Sequence, residues 1–360
     1  MEELHRQRLD RLSQALKEEG LTQMIVSDPL AVWYFTGVDV QPGERLFALY
    51  ARADGGHKLI LNKLFTVSCT GLEEVWMTDT DDMVGILAQA VDPSADMAIA
   101  KSWHARFLLA LMERNPGVRY VNSSGCVDRI RAVKDEDEQE KMRAASRIND
   151  ACMEAAAAYL REGLTEKEVS EYVSKLYRDA GCEGLSFGTI VSYGAHAADP
   201  HHEPDNTALK KGDCIVIDMG CRKDRYCSDM TRTFFCGEPE PEYAAIHDLV
   251  REANEKAEAM IRPGVRFCDI DRAAREHIEA GGYGPYFTHR LGHSIGIDVH
   301  EPGDANTANT DPVLPGNVFS CEPGVYLAGR VGVRIEDLCM VTEDGVQILN
   351  HYPKELQVID

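Results

Sequence analysis

Apolar and polar positions alternate with two different periods along this chain, and the switches between them mark its elements. The opening twenty residues, MEELHRQRLDRLSQALKEEG, are charged and helical in pattern. A strand is expected around Met24 to Val26, and further strands at Leu46 to Tyr50 and Lys58 to Leu61 flank an Asp54-Gly55-Gly56 turn. Strand patterns at Glu74 to Met77, Met97 to Ala100 and Val118 to Val121 alternate with helical stretches, so residues 1–130 read as a small α/β domain without a catalytic constellation. The charge run Lys134-Asp135-Glu136-Asp137-Glu138 then opens a long helix with Met142, Ala145, Ile148, Cys152, Ala155 and Tyr159 at helical spacing, which puts a domain boundary near residue 130 and a second domain over 131–360.

Within the second domain the pattern repeats at an offset of 101 residues. In the first copy a long helix ends at Leu160-Arg161-Glu162-Gly163, and Thr165 with Glu168 forms a capping box for a helix that stops at Gly181. In the second copy a helix carrying Ile246, Leu249, Ala253, Ala257 and Met260 ends at Ile261-Arg262-Pro263-Gly264, and the next helix stops at Gly281-Gly282. Strand-rich sequence follows each helix pair. Two such halves bury their sheet faces under helices and leave a site at the seam.

Composition narrows the function classes. With 360 residues and 44% hydrophobic content, the chain suits two domains with their own cores. A net charge of -22, from 60 acidic against 38 basic residues, repels a phosphate backbone and an anionic membrane, so neither nucleic acid nor membrane is an expected partner. The start has no apolar leader and no later run approaches the length of a membrane span, which makes the cytoplasm the expected location. Eleven cysteines without a C-x-x-C pair read as reduced core filler.

The chemistry-bearing residues lie in the second domain. The strand Cys214-Ile215-Val216-Ile217 runs into Asp218-Met219-Gly220, and the chain returns through Ser228-Asp229-Met230-Thr231-Arg232-Thr233. A hairpin would set Asp218 beside Asp229, and two adjacent carboxylates repel unless a cation lies between them. The second half adds His293, Glu322 before Pro323-Gly324, and Glu336 after Arg334-Ile335. Four carboxylates with one imidazole suit manganese, cobalt, iron or zinc in paired sites and do not suit thiolate-rich zinc chemistry. Paired divalent ions about 3.5 to 4 Å apart serve hydrolysis by polarising a carbonyl and activating water.

These motifs, Asp218-x-Gly220, Ser228-Asp229-x-Thr231-Arg232-Thr233, His293-x-x-Gly296, Glu322-Pro323-Gly324 and Arg334-Ile335-Glu336-Asp337, resemble in order and spacing those of the pita-bread metallopeptidases. That family includes methionine aminopeptidase, aminopeptidase P and prolidase. The resemblance covers essentially the whole chain. It implies a creatinase/prolidase-type α/β N-terminal domain (1–130) and an α+β pita-bread catalytic domain (131–360) with a pseudo-twofold internal duplication. It also implies two divalent ions, manganese first, with cobalt, zinc or iron as alternatives. Asp218 would chelate one ion, Asp229 and Glu336 would bridge both, and His293 and Glu322 would complete the other, with Glu322 also acting as general base and acid.

His201 resembles a histidine of the proline-specific members that contacts substrate, and His300 one that steadies the scissile carbonyl or shuttles a proton. His289 and Arg334 look like further substrate-binding positions. The implied activity is cleavage of Xaa-Pro bonds in a dipeptide or short peptide, by an Xaa-Pro dipeptidase or, on longer peptides, an aminopeptidase P, and the implied assembly is a homodimer. Glu301-Pro302-Gly303-Asp304 departs from prolidases that place an arginine there to pair with the dipeptide's carboxylate, which leaves Arg334 or a partner subunit to supply that cation. A creatinase-like enzyme or a binding protein that has lost its metal residues is disfavoured by the intact donor set. A phosphoesterase is disfavoured because no phosphate-cradling glycine loop accompanies the donors.

Overall fold

The computed structural model describes residues 2–68 and 70–359. The chain forms two compact units, Met1–Arg131 and Ala132–Asp360.

In the first unit the helix Glu3–Glu18 buries Leu9, Leu12 and Leu16 along one stripe. The unit is built on a six-stranded sheet in the order Glu73–Met77, Lys58–Asn62, Ala48–Arg52, Gln23–Val26, Met97–Ile99, Tyr120–Asn122. Its last three strands run parallel, as do its first two. Two strands sit later than their hydrophobic pattern suggests. Arg52 joins its strand because it pairs with Gln23, whereas the Val118 amide closes a turn onto the Asn115 carbonyl and keeps that residue out of the sheet.

The second unit opens with the helix Glu136–Tyr159, capped by Asp135 with Glu138 in a capping box. Its buried residues include Met142, Ala145, Asn149, Cys152, Met153 and Ala156, while the expected Ile148 and Tyr159 are half-buried and pack against the same core, and Ala155 is half-buried. Asn149 lies among them because that side chain is satisfied inside: its amide donates to the Met219 carbonyl at 3.0 Å and its oxygen accepts from Tyr177. The helix Glu166–Asp179 follows, with both capping-box bonds of Thr165 and Glu168 present.

The duplication is visible in the backbone. Gly163 and Gly264 turn the chain after the two long helices, at φ 88° and 86°. The Gly163 amide bonds Leu209 O and the Gly264 amide bonds Val313 O, both at 2.9 Å. Each half then pairs its next residue back: Leu209 N to Leu164 O at 2.9 Å, Val313 N to Val265 O at 2.8 Å.

The helices Glu136–Tyr159 and Glu166–Asp179 share a core with the sheet ordered Gln357–Ile359, Met230–Cys236, Cys214–Met219, Ile190–Tyr193. The helices Pro241–Met260 and Phe267–Ala280 cover the sheet ordered Glu301–Ala305, Gly292–Ser294, Val318–Cys321, Asp337–Val341, Val346–Ile348. The ten described cysteines are free and, Cys182 apart, buried; Cys69 lies outside the described residues. Among the described residues no helix is long and apolar enough to cross a membrane.

Candidate metal centre

Strand register delivers the first two carboxylates. Cys214–Met219 pairs antiparallel with Met230–Cys236, Asp218 facing Thr231, so Asp229 enters the same end of the hairpin. Gly220 is required there: a Cβ at that position would lie 2.0 Å from the Ser228 carbonyl oxygen. His293 sits mid-strand in Gly292–Ser294, its amide held by Ser320 Oγ at 3.0 Å. Glu322 follows the strand Val318–Cys321, and Glu336 links Val331–Arg334 to Asp337–Val341, its amide bonded to the Thr231 carbonyl at 3.1 Å.

All five residues line one cavity of about 930 Å³, and His201, His289, Arg290, His300 and Arg334 line it too. His293 Nε2 lies 3.7 Å from Asp229 Oδ2 and 3.5 Å from Glu322 Oε1. Donor atoms of Asp229, His293 and Glu336 all fall within 4.8 Å of one another.

The electrostatics of this cluster call for a cation. Burial first, then the charges of Glu336, Asp218 and Glu322, hold the Asp229 carboxyl well above the usual carboxylate range. Glu336 is raised well above it by burial and by Glu322 and Asp218, and burial pushes Glu322 up to about 7. Burial, with His300 adding to it, lowers His293 to about 3, so the ring is neutral near pH 7. Its Nδ1 lies 3.3 Å from the Ser294 carbonyl, which fixes the proton there and turns the Nε2 lone pair toward the carboxylates. The buried Oδ1 atoms of Asp218 and Asp229 have no hydrogen-bond partner. Lone pairs facing carboxylate oxygens, with orphaned oxygens beside them, fit divalent cations and little else.

A second layer of contacts orients the donors. Thr231 Oγ1 donates to Glu336 Oε2 at 2.6 Å and accepts from Arg334 Nε at 3.0 Å. Arg334 Nη2 bonds Asp218 Oδ2 at 2.8 Å, and Nη1 donates to the Tyr326 hydroxyl at 3.0 Å. Tyr326 in turn faces His289 Nε2 at 3.0 Å, and His289 Nδ1 faces the Arg290 carbonyl at 2.7 Å. Burial, with Arg334 adding to it, lowers His289 to about 4, so the chain of donors runs one way, from Arg334 through Tyr326 and neutral His289 to the backbone. Behind Glu336, Arg232 pairs with Asp337 at 2.7 Å, and Lys354 bridges Asp337 and Glu258.

His300 stacks edge-on against His293 with ring centroids 4.3 Å apart, and burial lowers its pKa. His201 is exposed at the cavity wall, its amide bonded to Asp199. Arg334 is buried and committed to three protein partners. Arg290 is different: its side chain is 37% exposed and, among the described residues, ion-pairs with one carboxylate, Asp304, at 3.2 Å. Sequence reasoning passed over Arg290 and Tyr326. Arg290 was open to notice from its place three residues before His293, whereas Tyr326 acts only through contacts the tertiary fold makes.

Comparison with known proteins agrees with this picture. Residues 140–343 match the metallopeptidase family M24, and residues 8–133 match the creatinase/prolidase N-terminal domain. An uncharacterized peptidase of Staphylococcus aureus is 37% identical over 96% of this chain and 99% of its own length. The solved structure of dipeptidase PepE from Mycobacterium ulcerans superposes with a TM-score of 0.94 at 32% identity, covering 99% of this chain and 98% of that one. Prolidase from Thermococcus sibiricus gives 0.92 at 28% identity, with both chains covered completely. The chain belongs to metallopeptidase family M24, with a creatinase/prolidase-type N-terminal domain ahead of the pita-bread catalytic domain. It is a peptidase of the metal-dependent kind.

Proposed function

We propose that this peptidase is an Xaa-Pro dipeptidase working with two divalent cations, manganese being the expected pair, held by Asp218, Asp229, His293, Glu322 and Glu336. The observation that carries the reading is one cavity lined by the buried carboxylate-imidazole cluster, by apolar residues that include Phe187, Ile190, Pro200 and Val299, and by Arg290, whose side chain is 37% exposed. The names of the Mycobacterium ulcerans and Thermococcus sibiricus relatives, a dipeptidase and a prolidase, support it.

Cations bound on that floor would supply Lewis acidity and a water made nucleophilic near neutral pH. Glu322, which opens onto the cavity, takes the proton of the attacking water and returns it to the departing prolyl nitrogen. His300 donates to the oxygen of the scissile carbonyl, and His201, which also lines the cavity, contacts the peptide. The prolyl nitrogen has no N–H to satisfy, so the apolar lining residues need only accept the pyrrolidine ring. Arg334, occupied by Asp218, Thr231 and Tyr326, holds ligands in place, and Arg290 reads the dipeptide's terminal carboxylate.

The Arg290–Asp304 pair favours a second reading, an aminopeptidase P acting on longer peptides, because Asp304 already answers that cation's charge. The two separate on Ala-Pro, Ala-Pro-amide and Ala-Pro-Ala. Metal-stripped enzyme is expected to be inactive and to regain Ala-Pro cleavage with manganese. A charge-assisted hydrogen bond worth about 1.5–3 kcal/mol predicts roughly 10- to 150-fold higher kcat/KM on Ala-Pro than on its amide, and Arg290→Met removes that preference. Preference for the tripeptide selects the aminopeptidase, and turnover of none of the three refutes proline specificity.

A further inference from the structure

Beside the carboxylate floor, with His202 on the lining of the same cavity, a second set of donors converges on Glu166, the first residue of the helix Glu166–Asp179. Its carboxylate is completely buried. Oε1 lies 2.9 Å from the Tyr193 amide and 3.0 Å from His196 Nδ1, and Oε2 lies 3.1 Å from the Asp205 amide and 2.8 Å from His202 Nε2. Among the described residues no lysine or arginine is hydrogen-bonded or ion-paired to it; the buried carboxyl group is met by backbone amides, two imidazoles and the side chain of Asp205. The imidazoles lie together, ring centroids 4.2 Å apart and planes at 33°, each turning a nitrogen to the same carboxylate. With an oxygen of Asp205, one donor atom from each of the four residues lies within 4.8 Å of all the others.

The fold does not demand this arrangement. The 101-residue duplication places Phe267 where Glu166 stands, each the first residue of its helix, and Phe267 is an ordinary core ring packed on Phe319 at 5.1 Å. One half fills the position with hydrocarbon, and the other puts a carboxylate there and surrounds it with metal-ligating side chains.

We propose that Glu166, His196, His202 and Asp205 bind a divalent transition metal ion at a site separate from the peptidase centre. Two nitrogens and two carboxylate oxygens suit zinc, cobalt, nickel or copper over magnesium or calcium. Binding needs each imidazole to carry its proton on the ring nitrogen away from Glu166, freeing His196 Nδ1 and His202 Nε2 as ligands. His196 is 36% exposed and Asp205 is exposed, so the ion enters from solvent. Because His201 precedes His202, an ion here also fixes the segment that brings His201 to the cavity wall.

Zinc bound per chain, counted by elemental analysis after equilibrium dialysis of metal-stripped full-length protein, tests the proposal. His196→Asn keeps an amide able to donate to Glu166 but removes a metal ligand, and His202→Gln does the same on the other oxygen. Each variant is expected to bind one zinc fewer than wild type while its melting temperature without metal stays within a few degrees. The readout is a difference of one equivalent, so it stands whatever the peptidase centre itself holds. Equal zinc content in wild type and both variants overturns the proposal and leaves Glu166 as a hydrogen-bonded clasp. Should either variant fold poorly, cobalt titration of wild type decides: absorption changes that saturate with those of the peptidase centre, without a further equivalent, overturn it equally.

Discussion

Thr231→Val tests whether the proposed ligands of the metal centre are oriented from behind. The hydroxyl is fully buried, donates to Glu336 Oε2 at 2.6 Å and accepts from Arg334 Nε at 3.0 Å, while Arg334 bonds Asp218 at 2.8 Å. One oxygen therefore ties together residues on both sides of the floor. Valine has the same shape, so no cavity opens, but it removes both bonds and leaves a guanidinium N–H buried without a partner. Loss of such an outer contact costs about 10- to 100-fold in metal affinity, or about 1.4–2.7 kcal/mol. The assay is competition between enzyme and a chelating dye for manganese or zinc, with Thr231→Ser as the control that restores the hydroxyl and gives up one methyl group. Wild-type and serine enzymes are expected to bind alike, and valine to fall behind by that factor. Valine binding within twofold of wild type would refute the claim that Thr231 orients Glu336.

Two further outcomes follow from the same geometry. Asp229, Glu322 and Glu336 carry raised carboxyl pKa values in the metal-free protein, so protons occupy part of the donor set near neutrality and must leave as metal enters. His293, lowered to about 3, is already free. Metal affinity should therefore climb with pH through the neutral range, by about tenfold per unit for each proton displaced, and calorimetry in two buffers should register proton release; a pH-independent affinity contradicts this. At Gly220 a methyl group would meet the Ser228 carbonyl at 2.0 Å, whereas at Gly184 it meets nothing within 4 Å. Gly220→Ala is expected to cost more than about 3 kcal/mol in urea unfolding and Gly184→Ala less than about 1 kcal/mol, and similar midpoints for the two would show that the hairpin gives way easily.

Local signals in the sequence reached a long way into this fold. The Thr165/Glu168 capping box and the glycines at 163, 181, 264 and 282 are short-range features, decided within a few residues, and they stand where the pattern put them. Because the halves repeat those signals at one offset, the duplication was also legible, and the apolar strand before Asp218 made its hairpin with Asp229 readable. Long-range partners were not. Thr231 meets Glu336 across 105 residues and Arg334 meets Asp218 across 116, so nothing near either residue announces the contact. Asn149 lies inside beside the core-packed Ile148, unannounced by the sequence, because hydropathy ranks side chains by transfer to oil, whereas a buried amide with both partners present is stable inside.

By itself, the amino-acid order determined the elements, the repeat and the residue types able to hold cations, since these depend on local propensity and on the chemistry of each side chain. Only the tertiary structure decided which charges face one another: that Arg334 is committed to Asp218 while Arg290 stays half-exposed at the cavity, and that Glu166 meets two histidines where its duplicate, Phe267, meets a ring. Electrostatic energy depends on distance and burial, and both come into existence when remote strands pack together.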